Sequence, residues 1–154
     1  MLEQYNKKRN FDKTSEPKGK KEKPAKKDCA LRFVIQEHHA RSLHFDFRLE
    51  YKGVLVSFAV PKNLSQKKGE KRLAVMVEDH PVDYINFEGT IPKGQYGAGT
   101  VLIWDKGFYM CQNLGKGLKD GEFKVALAGE KLKGVWAFVR MDEKNWLAIK
   151  ETKK

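Results

Sequence analysis

Ser42-Leu43-His44-Phe45-Asp46-Phe47-Arg48-Leu49-Glu50 is the stretch on which the fold turns. Successive side chains of a strand point to opposite faces, so Leu43, Phe45, Phe47 and Leu49 share a core face. His44, Asp46, Arg48 and Glu50 share the other. Similar runs, rich in β-branched or aromatic residues, lie at Arg32–Gln36, Val54–Val60, Leu73–Val77, Thr100–Trp104 and Phe108–Met110. Phe123–Leu127, Val135–Arg140 and Trp146–Ile149 continue the series. Tyr51-Lys52-Gly53, Asp105-Lys106-Gly107, Ala128-Gly129-Glu130 and Asp142-Glu143-Lys144 read as turns between them. Short strands at this spacing predict an all-β antiparallel barrel or sandwich. No sustained helical period appears, and a short helix around Ser65–Gly69 is the most the sequence offers.

Outside those runs the composition is uneven. The chain has 154 residues, 31 Lys plus Arg against 20 Asp plus Glu, and a net charge of +11. That length favours one domain. A hydrophobic fraction of 40% with nine Phe, three Trp and five Tyr supports a core and excludes uniform disorder. No apolar run reaches the roughly 18 residues that span a bilayer, and the N-terminus lacks the apolar segment of a signal peptide. Cys29 and Cys111 are too few for a disulfide framework, which makes the cytoplasm the expected compartment. Residues 1–28 hold ten basic and five acidic residues, with no Phe, Leu, Ile or Val between Thr14 and Asp28. They read as a flexible basic arm, either a solubility tail or a nucleic-acid arm. Residues 29–154 form the folded domain and keep 21 positive against 15 negative charges. An excess on both parts points to a polyanion, and to nucleic acid rather than a membrane because no basic amphipathic helix is evident.

The polar face of the quoted strand carries the chemistry. His38, six residues before His44, joins it if the strand runs back without a bulge. His80 lies before Pro81, where an extended conformation suits a strand end. Two imidazoles and one carboxylate make a facial set that leaves metal positions open, although spacing does not choose which two histidines join Asp46. Such N and O donors suit Mn²⁺, Zn²⁺, Fe²⁺ or Co²⁺. The same His-x-Asp…His pattern fits a non-haem iron oxygenase, and its plain alternative is a solvated face. His39 has the opposite parity and reads as local. Arg48, a permanent planar cation, tilts the face toward phosphate, its plain alternative being a salt bridge to Asp46 or Glu50. The glycine-rich run Gly89–Gly99 lacks the ending of a P-loop and reads as a tight connection passing near a ligand. Lys62, Lys67, Lys68, Lys71 and Arg72 make either a solvated loop or a funnel for backbone phosphates.

Four ordered motifs carry a resemblance. They are His38-x5-His44-Phe45-Asp46-Phe47-Arg48-Leu49-Glu50, Ser57-Phe58-Ala59-Val60-Pro61-Lys62, Val77-Glu78-Asp79-His80-Pro81-x2-Tyr84, and Phe87-Glu88-Gly89-Thr90-Ile91-Pro92-x-Gly94-Gln95-Tyr96-Gly97. Together they resemble the 3′-phosphoesterase domain of bacterial DNA ligase D over roughly Arg32–Lys150. A weaker likeness reaches Tyr5-x2-Lys8-Arg9-x-Phe11 and Thr14-x-Glu16-Pro17. The resemblance implies a small antiparallel β-barrel of about eight strands with one catalytic metal, typically Mn²⁺, with Zn²⁺, Co²⁺ or another divalent ion as alternatives. It implies removal of a 3′-terminal ribonucleoside from DNA or RNA-tipped primer–template ends, and then of the 3′-phosphate, during end joining. His38, Asp46 and His80 would be metal ligands, and His44, Arg48 and Tyr84 would contact the reacting phosphate. Lys62 and Arg72 would be secondary cations, with Arg9 and Glu16 further contacts. Asn10 stands where the family often has Asp. A monomer is expected, free-standing at this length, beside separately encoded ligase, polymerase and end-binding partners. A non-catalytic binder of nucleic-acid ends is the rival reading.

Overall fold

A computed structural model describes residues 2–9, 16 and 31–151. The described residues form nine strands: β1 Leu31–His39, β2 Leu43–Tyr51, β3 Val54–Val60, β4 Lys71–Pro81, β5 Gly89–Ile91, β6 Gly99–Met110, β7 Glu122–Gly129, β8 Lys133–Arg140 and β9 Asn145–Lys150. Their order in the sheet is β1-β2-β3-β4-β9-β8-β7-β6-β5, closed by pairing of β1 with β6. Eight antiparallel strands therefore ring the barrel, and β5 extends one edge of β6. Closure removes the exposed strand edges that would invite pairing with other chains.

The interior follows from strand parity. Phe33 and Ile35 of β1, Phe47 and Leu49 of β2, and Val56 and Phe58 of β3 point inward to meet Trp136, Phe138 and Trp146 from the far wall. The Phe138 ring stacks on Phe123 at 4.9 Å and on Phe47 at 5.5 Å. Each such side chain withdraws enough apolar surface from water to contribute about 2–3 kcal/mol.

A second apolar cluster lies on the outside of the barrel. Val34, Leu55 and Val101 turn away from the interior and are covered by Tyr84, Ile85, Phe87 and Ile91. These belong to a 3₁₀ turn, Val82–Asn86, and to β5 with the residue that leads into it. Double coverage explains why β3 is nearly continuously buried, where a strand with one wet face would alternate. The covered outer face of β1–β4 is where the candidate site residues stand.

Several local expectations change. Asp105-Lys106-Gly107 is no turn, because β6 runs through it with an irregularity opposite Ile35 and Gln36. Asp105 is buried and accepts from the backbone N–H groups of Glu130 (2.8 Å), Lys131 (3.2 Å) and Leu132 (2.9 Å). It fastens the β7–β8 turn and makes no turn of its own. No helix forms at Ser65–Gly69, where Ser65 hydrogen-bonds Glu70 and accepts from the Lys67 N–H. Helices stand instead at α1, Glu3–Lys7, and α2, Leu114–Asp120, the latter capped by the Asn113 side chain and ended by Gly121 at φ 94°. α1 lies within the expected flexible arm, yet Tyr5 is fully buried and Glu16 is 4% exposed. Asn10, Cys29 and the rest of 1–28 apart from 2–9 and 16 lie outside the described residues. Among those described, no helix is long and apolar enough to cross a membrane.

Candidate active site

Strand pairing assembles the site. His38 sits directly opposite His44 across the β1–β2 hairpin, with ring centroids 4.8 Å apart. This differs from the expectation of one strand running back to His38, because a turn separates the two histidines onto neighbouring strands. Paired residues share a face, so both imidazoles still flank Asp46. Arg48 lies opposite Ser57 of β3, and His80 lies opposite Leu55 near the end of β4. The three histidines, Asp46 and Arg48 line one pocket of about 340 Å³ together with Tyr84, Arg9, Glu16, Glu78 and Tyr96. His39 is elsewhere, paired with Glu37 at 2.7 Å on the exposed end of β1.

Three imidazoles in this pocket are oriented alike. His38 donates from Nε2 to the Gly97 carbonyl at 2.7 Å, His44 from Nδ1 to the Ser42 carbonyl at 3.2 Å, and His80 from Nδ1 to the Glu78 carbonyl at 3.0 Å. A carbonyl only accepts, so in each neutral ring the other nitrogen presents a lone pair toward the pocket. His38 Nδ1 then faces Asp46 Oδ2 at 3.4 Å, and His44 Nε2 faces Asp46 Oδ1 at 3.2 Å. Acceptors facing one another so closely call for a proton or a metal cation among them. Donation outward from the far nitrogen is the arrangement that orients metal-bound histidines. His38, His44 and Asp46 bring their ligand atoms within 4.8 Å of one another, the cluster found among the described residues. This donor set of imidazole nitrogen and carboxylate oxygen fits a divalent cation. His80 is outside that cluster, its Nε2 accepting from Arg9 Nη2 at 3.3 Å.

Charge in the pocket is tightly organised. Burial pushes the Asp46 carboxyl up, but the Arg48 guanidinium and, once a proton is shared with them, the His38 and His44 rings outweigh it and hold the group well below the usual carboxylate range. The hydrogen bond to Asp46 raises the His44 titration against the effect of burial. Burial drives His80 the other way, well below the usual imidazole range, helped by the Arg48 and Arg9 cations. His80 is thus neutral at pH 7. Arg48 is pinned through Nε to Gln36 Oε1 at 2.7 Å and through Nη1 to Ser57 Oγ at 2.9 Å, with Nη2 3.5 Å from Asp46.

The N-terminal residues form one wall. Arg9 donates to Glu16 at 3.1 Å, to Glu78 at 3.2 Å and to the Tyr5 carbonyl at 3.1 Å. Tyr84 donates its hydroxyl to Glu16 at 2.5 Å, and burial raises its titration far out of the physiological range. Tyr5 packs edge-on against His80 at 5.0 Å and Tyr84 at 5.9 Å.

Eight of the ten expected site residues therefore meet here: His38, His44, Asp46, Arg48, His80, Tyr84, Arg9 and Glu16. Lys62 and Arg72 do not. They line a separate groove with Glu70 and Lys71, where Arg72 donates to the Lys62 carbonyl at 2.6 Å and pairs with Glu70 at 3.2 Å. A run of lysines along the sequence does not reveal which way each side chain leaves the sheet. Sequence reasoning assigns no site role to Gln36, Ser57, Glu78 or Tyr5. Gln36 is the clearest omission, since an uncharged polar residue after Phe33-Val34-Ile35 signals a buried hydrogen-bonding duty. It donates to the Tyr84 and Phe87 carbonyls at 2.8 and 3.2 Å while holding Arg48.

Comparison with known proteins agrees with this geometry. Residues 36–140 match the family described as the DNA ligase D 3′-phosphoesterase domain. The multifunctional non-homologous end joining protein LigD of Mycolicibacterium smegmatis is 49% identical over 155 residues, which cover 96% of this chain and 20% of the relative. Its counterpart in Pseudomonas aeruginosa is 46% identical over 155 residues, covering 97% of this chain and 18% of the relative. The non-homologous end joining DNA repair protein LigD of Mycobacterium tuberculosis is 48% identical over 147 residues, 96% of this chain and 19% of the relative. The chain thus spans about one fifth of the length of these curated relatives.

Proposed function

The chain belongs to the DNA ligase D 3′-phosphoesterase domain family, and on that premise we propose that it is a divalent-cation-dependent phosphoesterase of DNA 3′ ends in end joining. Its substrate is a primer–template whose 3′ terminus carries a ribonucleotide or a phosphate. In the first step water adds to phosphorus and the bond to the terminal nucleoside's 5′ oxygen breaks, leaving a 3′-phosphate. In the second, water displaces the 3′ oxygen, leaving a 3′-hydroxyl and free phosphate. The observation that carries this reading is the set of inward-turned imidazoles around Asp46, one pleat from a pinned arginine.

His38 and Asp46, 3.4 Å apart, would supply two of the cation's ligands. The likeness to the family makes His80 the third, which requires its Nε2 to exchange Arg9 for the cation, since in this structure His80 lies outside the His38–His44–Asp46 cluster. His44 lies nearer in this structure but is the most open of the three rings, its side chain 23% exposed, which suits contact with the substrate. The ion, Mn²⁺ by family with Zn²⁺ or Co²⁺ as alternatives, supplies charge neutralisation at phosphorus and a more acidic water. Arg48, immobilised on two sides, offers Nη2 to a phosphoryl oxygen and stabilises the charge that develops there. The Tyr84 hydroxyl is committed as a donor to Glu16, which leaves His44 to protonate the departing oxygen. Arg9 adds a second cation to the wall. Lys62 and Arg72, outside the pocket, receive the backbone of the strand that leads to it.

The test is a 5′-labelled primer–template ending in one ribonucleotide, incubated with Mn²⁺ or with a chelator. Shortening by one residue followed by loss of the 3′-phosphate, only with the cation, is the expected result. An unchanged primer in both arms overturns the proposal, and retention of the primer on the protein in that case supports a non-catalytic end binder instead.

A further inference from the structure

Tyr96 stands at the rim of the active-site pocket with 48% of its surface exposed. A lone exposed aromatic is ordinary on a protein surface. Phe108, Met110 and Met141 are more exposed and do not line the pocket. Tyr96 differs in where and how it is held. It sits between Gly94 at φ 87° and Gly97 at φ 76°, in turns closed by the Gln95 N–H to Pro92 and the Ala98 N–H to Gln95, each 3.1 Å. Both glycines adopt a left-handed backbone that other residues enter only with strain. The carbonyl of Gly97, one residue on, accepts from His38. The ring is therefore fixed to the same backbone that orients a metal-ligand candidate.

Its electronic surroundings are equally specific. Lys8 Nζ lies over the ring at 4.6 Å from its centroid and the Arg9 guanidinium at 5.2 Å, so two cations gather at a residue that keeps 48% of its surface exposed. Lys8 also reaches Glu78 at 3.3 Å, across the pocket mouth. An exposed aromatic residue among cations is how single strands are gripped, with bases stacking on the ring and phosphates drawn to the charge.

Resting on the reading of a nucleic-acid 3′ end as substrate, we propose that Tyr96 is the stacking platform for the terminal nucleobase. In both hydrolytic steps the terminal nucleotide is bonded directly to the reacting phosphate, so its base lies one sugar away from the pocket. Stacking accepts any base, and it places the end without reading sequence.

The test measures binding by the intact protein, in chelator, of a primer–template whose 3′-terminal base is 2-aminopurine, and of the same duplex with an abasic 3′ terminus. Wild type is expected to change the 2-aminopurine fluorescence and to bind this end about tenfold more tightly than the Tyr96→Ala and Tyr96→Leu variants. Tyr96→Phe keeps a ring and is expected to match wild type, and all four proteins bind the abasic end alike. Equal fluorescence change with wild type and Tyr96→Ala, or an equal loss of affinity by Tyr96→Ala on both ends, overturns the stacking role and leaves the proposed function intact. A wild-type protein that binds neither end overturns the stacking role, and the primer–template assay with Mn²⁺ decides the proposed function separately.

Discussion

Arg48 is a buried arginine whose position is set by uncharged neighbours. Gln36 Oε1 and Ser57 Oγ occupy Nε and Nη1, and Tyr84 lies under the guanidinium at 4.8 Å. What remains is Nη2, directed toward Asp46 and the pocket. Gln36→Leu removes the acceptor while keeping the volume, so Arg48 Nε and two backbone carbonyls lose partners. We expect a destabilisation of about 2 kcal/mol by chemical denaturation, a fall of about 10–100-fold in turnover, and cation affinity unchanged in a direct titration. Cation affinity that falls with turnover would show that Gln36 acts through the ligands. His38→Ala and Asp46→Ala are each expected to abolish cation-dependent turnover, whereas His39→Ala, altering a ring outside the pocket, retains it. Substantial turnover by His38→Ala contradicts the assignment of that ring.

Among the elements, β6 shows most clearly what the sequence does and does not disclose. Its apolar runs are legible at both ends, but Asp105-Lys106-Gly107 has the composition of a turn and reads as one. The carboxylate's true partners, the N–H groups of residues 130–132, are some 25 positions away, and local composition holds no trace of them. Asp105→Ala leaves three N–H groups in the β7–β8 turn without their acceptor. A loss of about 3 kcal/mol is expected, read as a lower denaturation midpoint with activity kept at low temperature, since the turn lies away from the pocket. By contrast β2 is largely legible, because alternation reports both the element and its two faces, and only Leu43 at its open end departs, standing 49% exposed where the pattern puts it in the core. Much of the site is legible for the same reason, since His44, Asp46 and Arg48 stand on one face of β2, and Pro81 marks His80 at a strand end. Glu16 and Arg9 are reached only through likeness to a family, and α1 is hidden because five residues leave too short a period to see. That Lys62 and Arg72 stand apart is hidden too, because proximity in sequence does not report the direction of a side chain.

At the scale of the whole molecule, a closed barrel carries its chemistry on the outside. The interior is filled by aromatic side chains, so the pocket is built on the outer face of β1–β4, under the 82–97 connection and against residues 2–9 and 16. That division separates stability from function. Deleting residues 1–16 removes Tyr5, Arg9 and Glu16 but no part of the closed ring, so the truncated protein is expected to fold with barrel-like circular dichroism and to lose turnover. Loss of folded signal instead would show that the N-terminal residues serve the barrel. The net charge of +11 adds a long-range pull on nucleic acid. With about four phosphates contacted, affinity for a primer–template should fall roughly a hundredfold between 50 and 200 mM salt. On the proposed function, this outer pocket would hold one catalytic cation on His38 and Asp46. Titration of the protein with Mn²⁺, followed by the paramagnetic signal of the free ion, tests it most directly. One tight site per chain that disappears in Asp46→Ala is expected, and either no binding by wild type or undiminished binding by the variant would overturn the assignment.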